Sequence, residues 1–380
     1  MRILHCIPFL SPKMGGSVQV VYHVSKQQAA MGHRVMVAAS DHALAEAQFE
    51  IDGFELQSFS EQFVGSGFFI CKGLTRWVIQ NLDRFDIVNL HLFRTYHNPI
   101  VAKTANRFGV PYVVIAHGTL PIISPYKLIK KLYDVLWGNR VLKRAAHCIA
   151  VSPFEVGEYR EYNLPVNKIT VTYNGLNLDE FKDLPPVGSF KQKMCIPKDD
   201  RILLFVGRIH RRKGIEYLIQ ALPTILAAKP GVRLLVVGPD DGEVRRLEKM
   251  VEKLELRLSV AFLGPLYDVD KMAAMIDADL VVNPATKEIF GLVSMEALMC
   301  GTPVLVANDS GSGELLGRIN AGYLVDYGNP EQLASVILEA LDSPQQGQAM
   351  VQTGQKYIVE NLSWYQIAEK YVHVYEGLLR

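Results

Sequence analysis

Two carboxylates, Glu288 and Glu296, bracket the stretch Glu288-Ile289-Phe290-Gly291-Leu292-Val293-Ser294-Met295-Glu296. Ahead of it, Asp279-Leu280-Val281-Val282-Asn283-Pro284 reads as a buried, β-branched strand stopped by proline. Behind it, residues 291–299 carry small and apolar side chains at helical spacing, and Cys300-Gly301 closes that helix. Glu288 is therefore expected on a loop at the carboxyl end of a strand, and Glu296 inside the helix that follows. Eight helical residues span ~12 Å, so carboxylates at this spacing can hold opposite ends of one elongated ligand. The backbone N–H groups of Phe290, Gly291, Leu292 and Val293 open the helix and face any anion placed there. A plainer alternative is two glutamates flanking a helix start, one of them near the positive end of its dipole.

Cations stand within reach in the chain. Gly207-Arg208-Ile209-His210-Arg211-Arg212-Lys213-Gly214 leaves the strand-like run 201–206, and Arg208 and Lys213 on that loop suit a phosphate or diphosphate. Arg211 and Arg212 read as solvated. In the first half, an apolar run at 112–116 ends in His117-Gly118-Thr119, which presents His117 at a strand's carboxyl end; a lone histidine there is either functional or simply structural. Gly15-Gly16 follows the first strand and precedes Ser17, a helix cap; this lets a backbone approach a ligand, or is a plain tight turn. Asp240-Asp241 resembles a carboxylate pair for Mg²⁺ but opens a helix, where aspartate is a good cap. Gly311-Ser312-Gly313 misses the dinucleotide spacing and is expected as a ligand-facing glycine loop at most. No Ser-His-Asp elbow, Cys-His cluster or His-rich metal motif is present.

The elements that hold these residues alternate strand and helix. Residues 2–8, 34–39, 87–92, 112–116, 148–151 and 169–173 read as strands of one doubly wound unit. Residues 201–206, 233–237, 258–263, 279–283 and 304–306 form a second. Asp183-Leu184-Pro185-Pro186-Val187-Gly188-Ser189 breaks the pattern and is the expected linker, giving an α/β chain of two domains, 1–184 and 190–361. At 380 residues both can have real cores. Five scattered cysteines without a C-x-x-C, and an N-terminus that runs directly into a strand, point to a reducing cytoplasm. The net charge of +1 conceals 19 Lys/Arg against 14 Asp/Glu up to residue 182 and 21 against 25 beyond it.

Cations for a diphosphate, a loop carboxylate and a helix-held carboxylate fit a nucleoside diphosphate sugar. Glu296 can accept from ribose hydroxyls and Glu288 from sugar hydroxyls, while Arg208 and Lys213 stabilise the departing diphosphate. The ordered set Gly15-Gly16, Gly32-His33-Arg34-Val35, His117-Gly118, Asn174-Gly175, Gly207-Arg208 with Lys213-Gly214, Glu288-x7-Glu296 and Cys300-Gly301-Thr302-Pro303-Val304 spans nearly the whole chain. In this order it resembles the retaining GT-B glycosyltransferases of family four. The resemblance implies two Rossmann-like domains facing each other across a cleft, with a last helix, 362–380, crossing back onto the first. It implies a UDP-, GDP- or ADP-sugar donor, a glycan or lipid-linked acceptor, no cofactor or divalent metal, and no nucleic-acid partner. It places Gly16, Gly207, Gly264 and the amides of residues 290–293 around the donor, and His117 at the reaction centre. The acceptor hydroxyl attacks the face from which the diphosphate leaves, and a phosphate oxygen takes its proton. Asn177 stands where the family usually has Asp, and Asn283-Pro284-Ala285 where Pro-Ser is commoner.

Residues 125–146 interleave Lys127, Lys130, Lys131, Arg140, Lys143 and Arg144 with Leu128, Ile129, Leu132, Leu136, Trp137, Val141 and Leu142. Such a helix is either a surface for an anionic membrane or an ordinary amphipathic helix. Residues 63–70 are expected as an apolar loop on the acceptor side. Two other readings stay open: an epimerase or glycogen/sucrose synthase-like enzyme of the same fold, and a non-catalytic nucleotide-sugar sensor.

Overall fold

Runs of branched apolar residues, buried on both faces, become the parallel strands that such sequences favour. A computed structural model describes residues 1–10, 16–42, 53–65, 68–122 and 126–380. In chain order the strands of the first unit are β1 (Arg2–Phe9), β2 (Arg34–Ser40), β3 (Glu55–Phe59), β4 (Glu61–Gly65), β5 (Phe68–Cys71), β6 (Ile87–His91), β7 (Tyr112–Ile115), β8 (His147–Ala150) and β9 (Ile169–Val171). Seven of them form one sheet in the order β3-β2-β1-β6-β7-β8-β9, parallel throughout. The order reverses between β1 and β6, where an open sheet leaves a crevice at its carboxyl edge.

The second unit holds β10 (Arg201–Val206), β11 (Val232–Val237), β12 (Val260–Gly264), β13 (Leu280–Asn283), β14 (Val304–Ala307) and β15 (Tyr323–Val325). Its order is β12-β11-β10-β13-β14-β15, again all parallel, with the reversal between β10 and β13. Each unit has its own apolar core, one around Leu4, Val88, Val114 and Cys148, the other around Leu203, Leu234, Val282 and Leu305.

The chain divides into Met1–Gly175 with Trp364–Arg380, and Leu176–Ser363. The boundary falls after Gly175, ahead of the proline-rich segment where composition puts it. Leu176 N–H donates to the Leu362 carbonyl at 2.7 Å, and Lys191 N–H to Asp277 Oδ2 at 2.8 Å, so the segment between is bound into the second unit. Helix Trp364–Leu379 packs against helix Gly16–Ala30. Residues 63–70 contain the antiparallel pair β4–β5, with Val64 opposite Phe69, in place of the expected loop. Gly15, Ser66, Gly67 and Pro125 lie outside the described residues.

Candidate functional site

In the second unit the loops after β10 and β13 meet. Gly214, at φ 71°, brings its α-carbon against Pro284, and Thr286 N–H donates to the Arg212 carbonyl at 3.1 Å. The loops after β10 and β11 touch more closely still. A Cβ on Gly238 (φ 144°) would lie 1.8 Å from the Gly207 carbonyl oxygen, a contact only glycine permits. These contacts fix the carboxyl edge of β10, β11 and β13, where the charged residues gather.

Lys213 Nζ is ion-paired with Glu288 Oε2, both side chains being partly buried. Lys271, on helix Asp268–Ile276, binds Glu296 Oε2 at 3.0 Å. Each carboxylate singled out by its spacing thus has a lysine partner. Arg208 goes elsewhere: its Nη1 lies 3.3 Å from Asp241 Oδ2, and both side chains are solvent-exposed. Lys213 and Arg208 therefore do not converge on one partner. Asp240 behaves as the expected cap, its Oδ1 accepting from the N–H groups of Gly242 and Glu243 at 2.9 Å each and of Val244 at 3.1 Å, which hold its carboxyl below the usual range.

The helix after Glu288 begins at Leu292, two residues later than Phe290, with Gly291 at φ 69° as its cap. Leu292 and Val293 supply opening N–H groups that lack an intrahelical carbonyl. The Phe290 side chain is buried. The backbone of the Glu288 loop is tied down by the Gly311 N–H, 2.7 Å from the Glu288 carbonyl. Gly311-Ser312-Gly313 is not an open glycine loop. It is the buried start of helix Gly311–Ile319, capped by Ser310, and a Cβ on Gly313 would come 2.1 Å from the Ala307 carbonyl. Gly264 ends β12 at φ 70° with open space where a Cβ would go.

In the first unit Gly16 opens helix Gly16–Ala30. His117 follows β7 at φ 51° and Gly118 continues at φ 73°, so two successive left-handed residues make the turn. Glu155, fully buried at the start of helix Pro153–Arg160, holds it: Oε1 accepts the Gly118 N–H at 2.6 Å and Oε2 the Val151 N–H at 2.7 Å. Burial pushes the Glu155 carboxyl up to about 7, against those two bonds. Arg94 braces the turn's far side, donating to the Thr119 and Leu120 carbonyls at 2.7 and 2.8 Å and forming a two-bond pair with Asp134 at 2.9 and 2.7 Å.

His117 is not alone. Its Nε2 lies 2.9 Å from His91 Nδ1, His91 Nε2 lies 2.9 Å from His5 Nδ1, and His5 Nε2 lies 2.8 Å from Gln28 Oε1. Burial drives all three imidazoles towards neutrality, to about 3 for His117, about 4 for His5 and well below the ordinary value for His91, where the neighbouring rings add to the effect. The sequence singles out Glu288, Glu296, Lys213 and His117 but not their neighbours in the structure, Lys271, Glu155, Arg94, His5 and His91. The last two carry a signal: polar residues at alternate positions of otherwise apolar strands.

Two all-parallel α/β sheets, each with its own helices and core, define a Rossmann-like, two-domain fold. The chain belongs to the glycosyl transferases group 1, which it matches over residues 188–357, and its residues 14–180 match glycosyltransferase family 4; it is a glycosyltransferase of the GT-B fold. An uncharacterized glycosyltransferase of Methanocaldococcus jannaschii is 30% identical over 305 residues, covering 78% of this chain and 77% of that protein. A D-inositol 3-phosphate glycosyltransferase of Thermobispora bispora is 29% identical, with 78% of this chain and 71% of that protein covered. Among solved structures, Anabaena HepE in complex with UDP and glucose superimposes with a TM-score of 0.77 at 22% identity, covering 99% of this chain and 100% of that one. WaaG, a glycosyltransferase involved in lipopolysaccharide biosynthesis, gives a TM-score of 0.70 at 22% identity, over 99% and 100%.

Proposed function

We propose that the protein is a retaining glycosyltransferase that moves a sugar from a nucleoside diphosphate sugar to a hydroxyl of a glycan or lipid-linked acceptor, without a divalent metal. The observation that carries this reading is the pairing of Lys213 with Glu288 beside the N–H groups of Leu292 and Val293. Here the lysine is neutralised by the glutamate. A diphosphate recruits the same lysine together with the helix start, which frees Glu288 to accept from the sugar's hydroxyls. Glu296, held by Lys271, is positioned for the ribose, and the amides and Lys213 stabilise the charge that grows on the leaving diphosphate. Arg208, exposed on its loop, reaches the phosphates by leaving Asp241. Binding of UDP and UDP-glucose by HepE supports a nucleotide-sugar donor.

The acceptor side rests on helix Lys127–Tyr133 and its continuation through Asp134–Gly138. Leu128 (82% exposed), Ile129, Leu132, Val135 (74%), Leu136 and Trp137 are all exposed beside Lys127, Lys130 and Lys131. An apolar stripe this bare, among cations, suits the headgroup region of an anionic membrane that carries the acceptor.

The test is a screen of UDP-, GDP- and ADP-sugars that reads nucleotide release with and without acceptor and with and without EDTA, followed by the product's anomeric configuration. Transfer with retention in EDTA is expected. Glu288→Ala should lower turnover more than nucleotide affinity, and Lys213→Ala should weaken diphosphate binding. Inversion, loss of transfer on chelation, or wild-type transfer by both variants rejects the reading. Isomerised donor without an acceptor would identify an epimerase instead. Equal co-sedimentation with neutral and anionic vesicles removes the membrane assignment.

A further inference from the structure

The strand registers place a polar line across one face of the first sheet. His5 on β1 pairs with Asn89 on β6, and His91 stands two residues further along β6, so all three project to the same side. Leu4, Cys6, Val88 and Leu90 point to the other side, into the core. His5, Asn89 and His91 are buried, under helices Gly16–Ala30 and Trp364–Leu379, which contribute Gln28 and Tyr375. Gln28 Nε2 donates to the Tyr375 hydroxyl at 3.4 Å, and that hydroxyl donates to Asn89 Oδ1 at 2.8 Å.

These bonds have a direction. Because the Tyr375 hydroxyl donates to Asn89, it accepts from the Gln28 amide nitrogen. The Gln28 carbonyl oxygen then faces His5 and can only accept, so His5 carries its proton on Nε2. A neutral His5 leaves Nδ1 as an acceptor, which requires a proton on His91 Nε2. The same step fixes the proton of His117 on Nε2, facing His91 Nδ1.

We infer that the buried line His91–His5–Gln28–Tyr375 is a positioning device that holds His117 in the Nε2–H form, so that His117 Nδ1 accepts a hydrogen bond from a substrate hydroxyl. This rests on the reading of His117 as a residue of the reaction centre. The line does not make His117 a net base. A proton arriving at Nδ1 can be relayed only as far as Gln28, an amide that does not take it up, and the charge would remain buried. Burial already holds all three imidazoles neutral, which agrees with an acceptor role. Asn89 Nδ2 has no partner among the described residues, and the line stops there.

The test uses the full chain labelled with ¹⁵N-histidine, with long-range proton–nitrogen spectra assigned through His117→Asn and His91→Asn. The expected wild-type result is a pyrrole-type Nε2 and a pyridine-type Nδ1 on His117 at neutral pH. Tyr375→Phe releases the Gln28 amide to turn over, and should convert His117 to a mixture of both tautomers. Gln28→Met removes the anchoring acceptor and is the second route should the first variant fold poorly. With an even mixture kcat should fall about twofold, approaching about tenfold, the worth of one neutral hydrogen bond, only as the Nδ1–H form comes to dominate, with nucleotide affinity unchanged. In a His117→Ala background the same substitution should change kcat no further. A wild-type His117 protonated on Nδ1, or tautomers indifferent to both substitutions, overturns the inference and leaves the transferase reading standing. Tautomers that shift while transfer by the variants stays at wild-type rate remove His117 from the reaction centre, although the tautomer remains set by the line.

Discussion

Glu155→Gln isolates a single buried carboxyl. The Glu155 carboxylate is fully buried yet accepts two backbone N–H bonds, from Gly118 and Val151, so desolvation and hydrogen bonding oppose one another. Desolvation wins, since the group is raised from 4.5 to about 7. Between those two values the folded chain binds more protons at this site than the unfolded chain does. The associated stability is therefore complete below pH 4.5 and is lost as pH rises through 7, by about 3 kcal/mol at most. Glutamine does not titrate and has no such loss, but its NH2 group, a donor only, replaces one of the two accepting oxygens and faces a backbone N–H, a cost that does not vary with pH. The buried histidines act in the opposite sense, stabilising as pH rises towards 6.5, but they are common to both proteins and cancel in the difference. All three tryptophans, Trp77, Trp137 and Trp364, belong to the first unit, so fluorescence in urea follows that unit alone and avoids a two-domain transition. Wild type should be the more stable near pH 4.5 by the worth of the lost backbone bond, and the difference should move in the variant's favour by pH 8. A difference that is flat, or that moves towards wild type, refutes the reasoning and shows that the two hydrogen bonds outweigh burial.

Three other substitutions or reactions probe separate features. Gly238→Ala forces the loops after β10 and β11 apart, because its Cβ would meet the Gly207 carbonyl at 1.8 Å; a loss above about 3 kcal/mol in the second unit is expected from chemical denaturation. Asp134→Asn leaves the Arg94 guanidinium, 9% exposed, without its charge partner, and should cost about 3–5 kcal/mol in the tryptophan-monitored transition. Of the five cysteines only Cys195 is exposed, so a thiol reagent should label one site quickly under native conditions and the other four only after unfolding.

The architecture was largely legible because β10, β11, β13 and β14 are continuous apolar runs bounded by Gly or Pro, a pattern that buried parallel strands require. What escaped notice was the sheet margins. β3 carries Glu55, Gln57 and Ser58 and so presents no apolar run, and the apolar run of β15 is only three residues long. Both gain their pairing from a neighbour rather than from their own composition. The contact-based division falls after Gly175 rather than at the prolines: prolines mark a break in regular structure, whereas the bonds from Leu176 and Lys191 decide which core the segment joins. Among site residues, Glu288 and His117 were visible from their place after strands. Lys271 looks like any helix-surface cation until the fold sets it against Glu296. Glu155 reads as a first-turn acid of its helix, since its partner Gly118 lies 37 positions earlier in the chain. Arg208 was correctly placed on its loop, but its partner Asp241 follows a different strand, which spacing alone does not reveal.

The bond set of Arg94 has a mechanical consequence. One guanidinium grips Asp134, the acid where the exposed helix passes into its π-helical continuation, and the carbonyls of Thr119 and Leu120, just past His117. A planar, five-donor group held at both ends transmits displacement instead of absorbing it. Any load that tilts the Leu128–Trp137 stripe is delivered, one rigid lever away, to the backbone that aims the histidine.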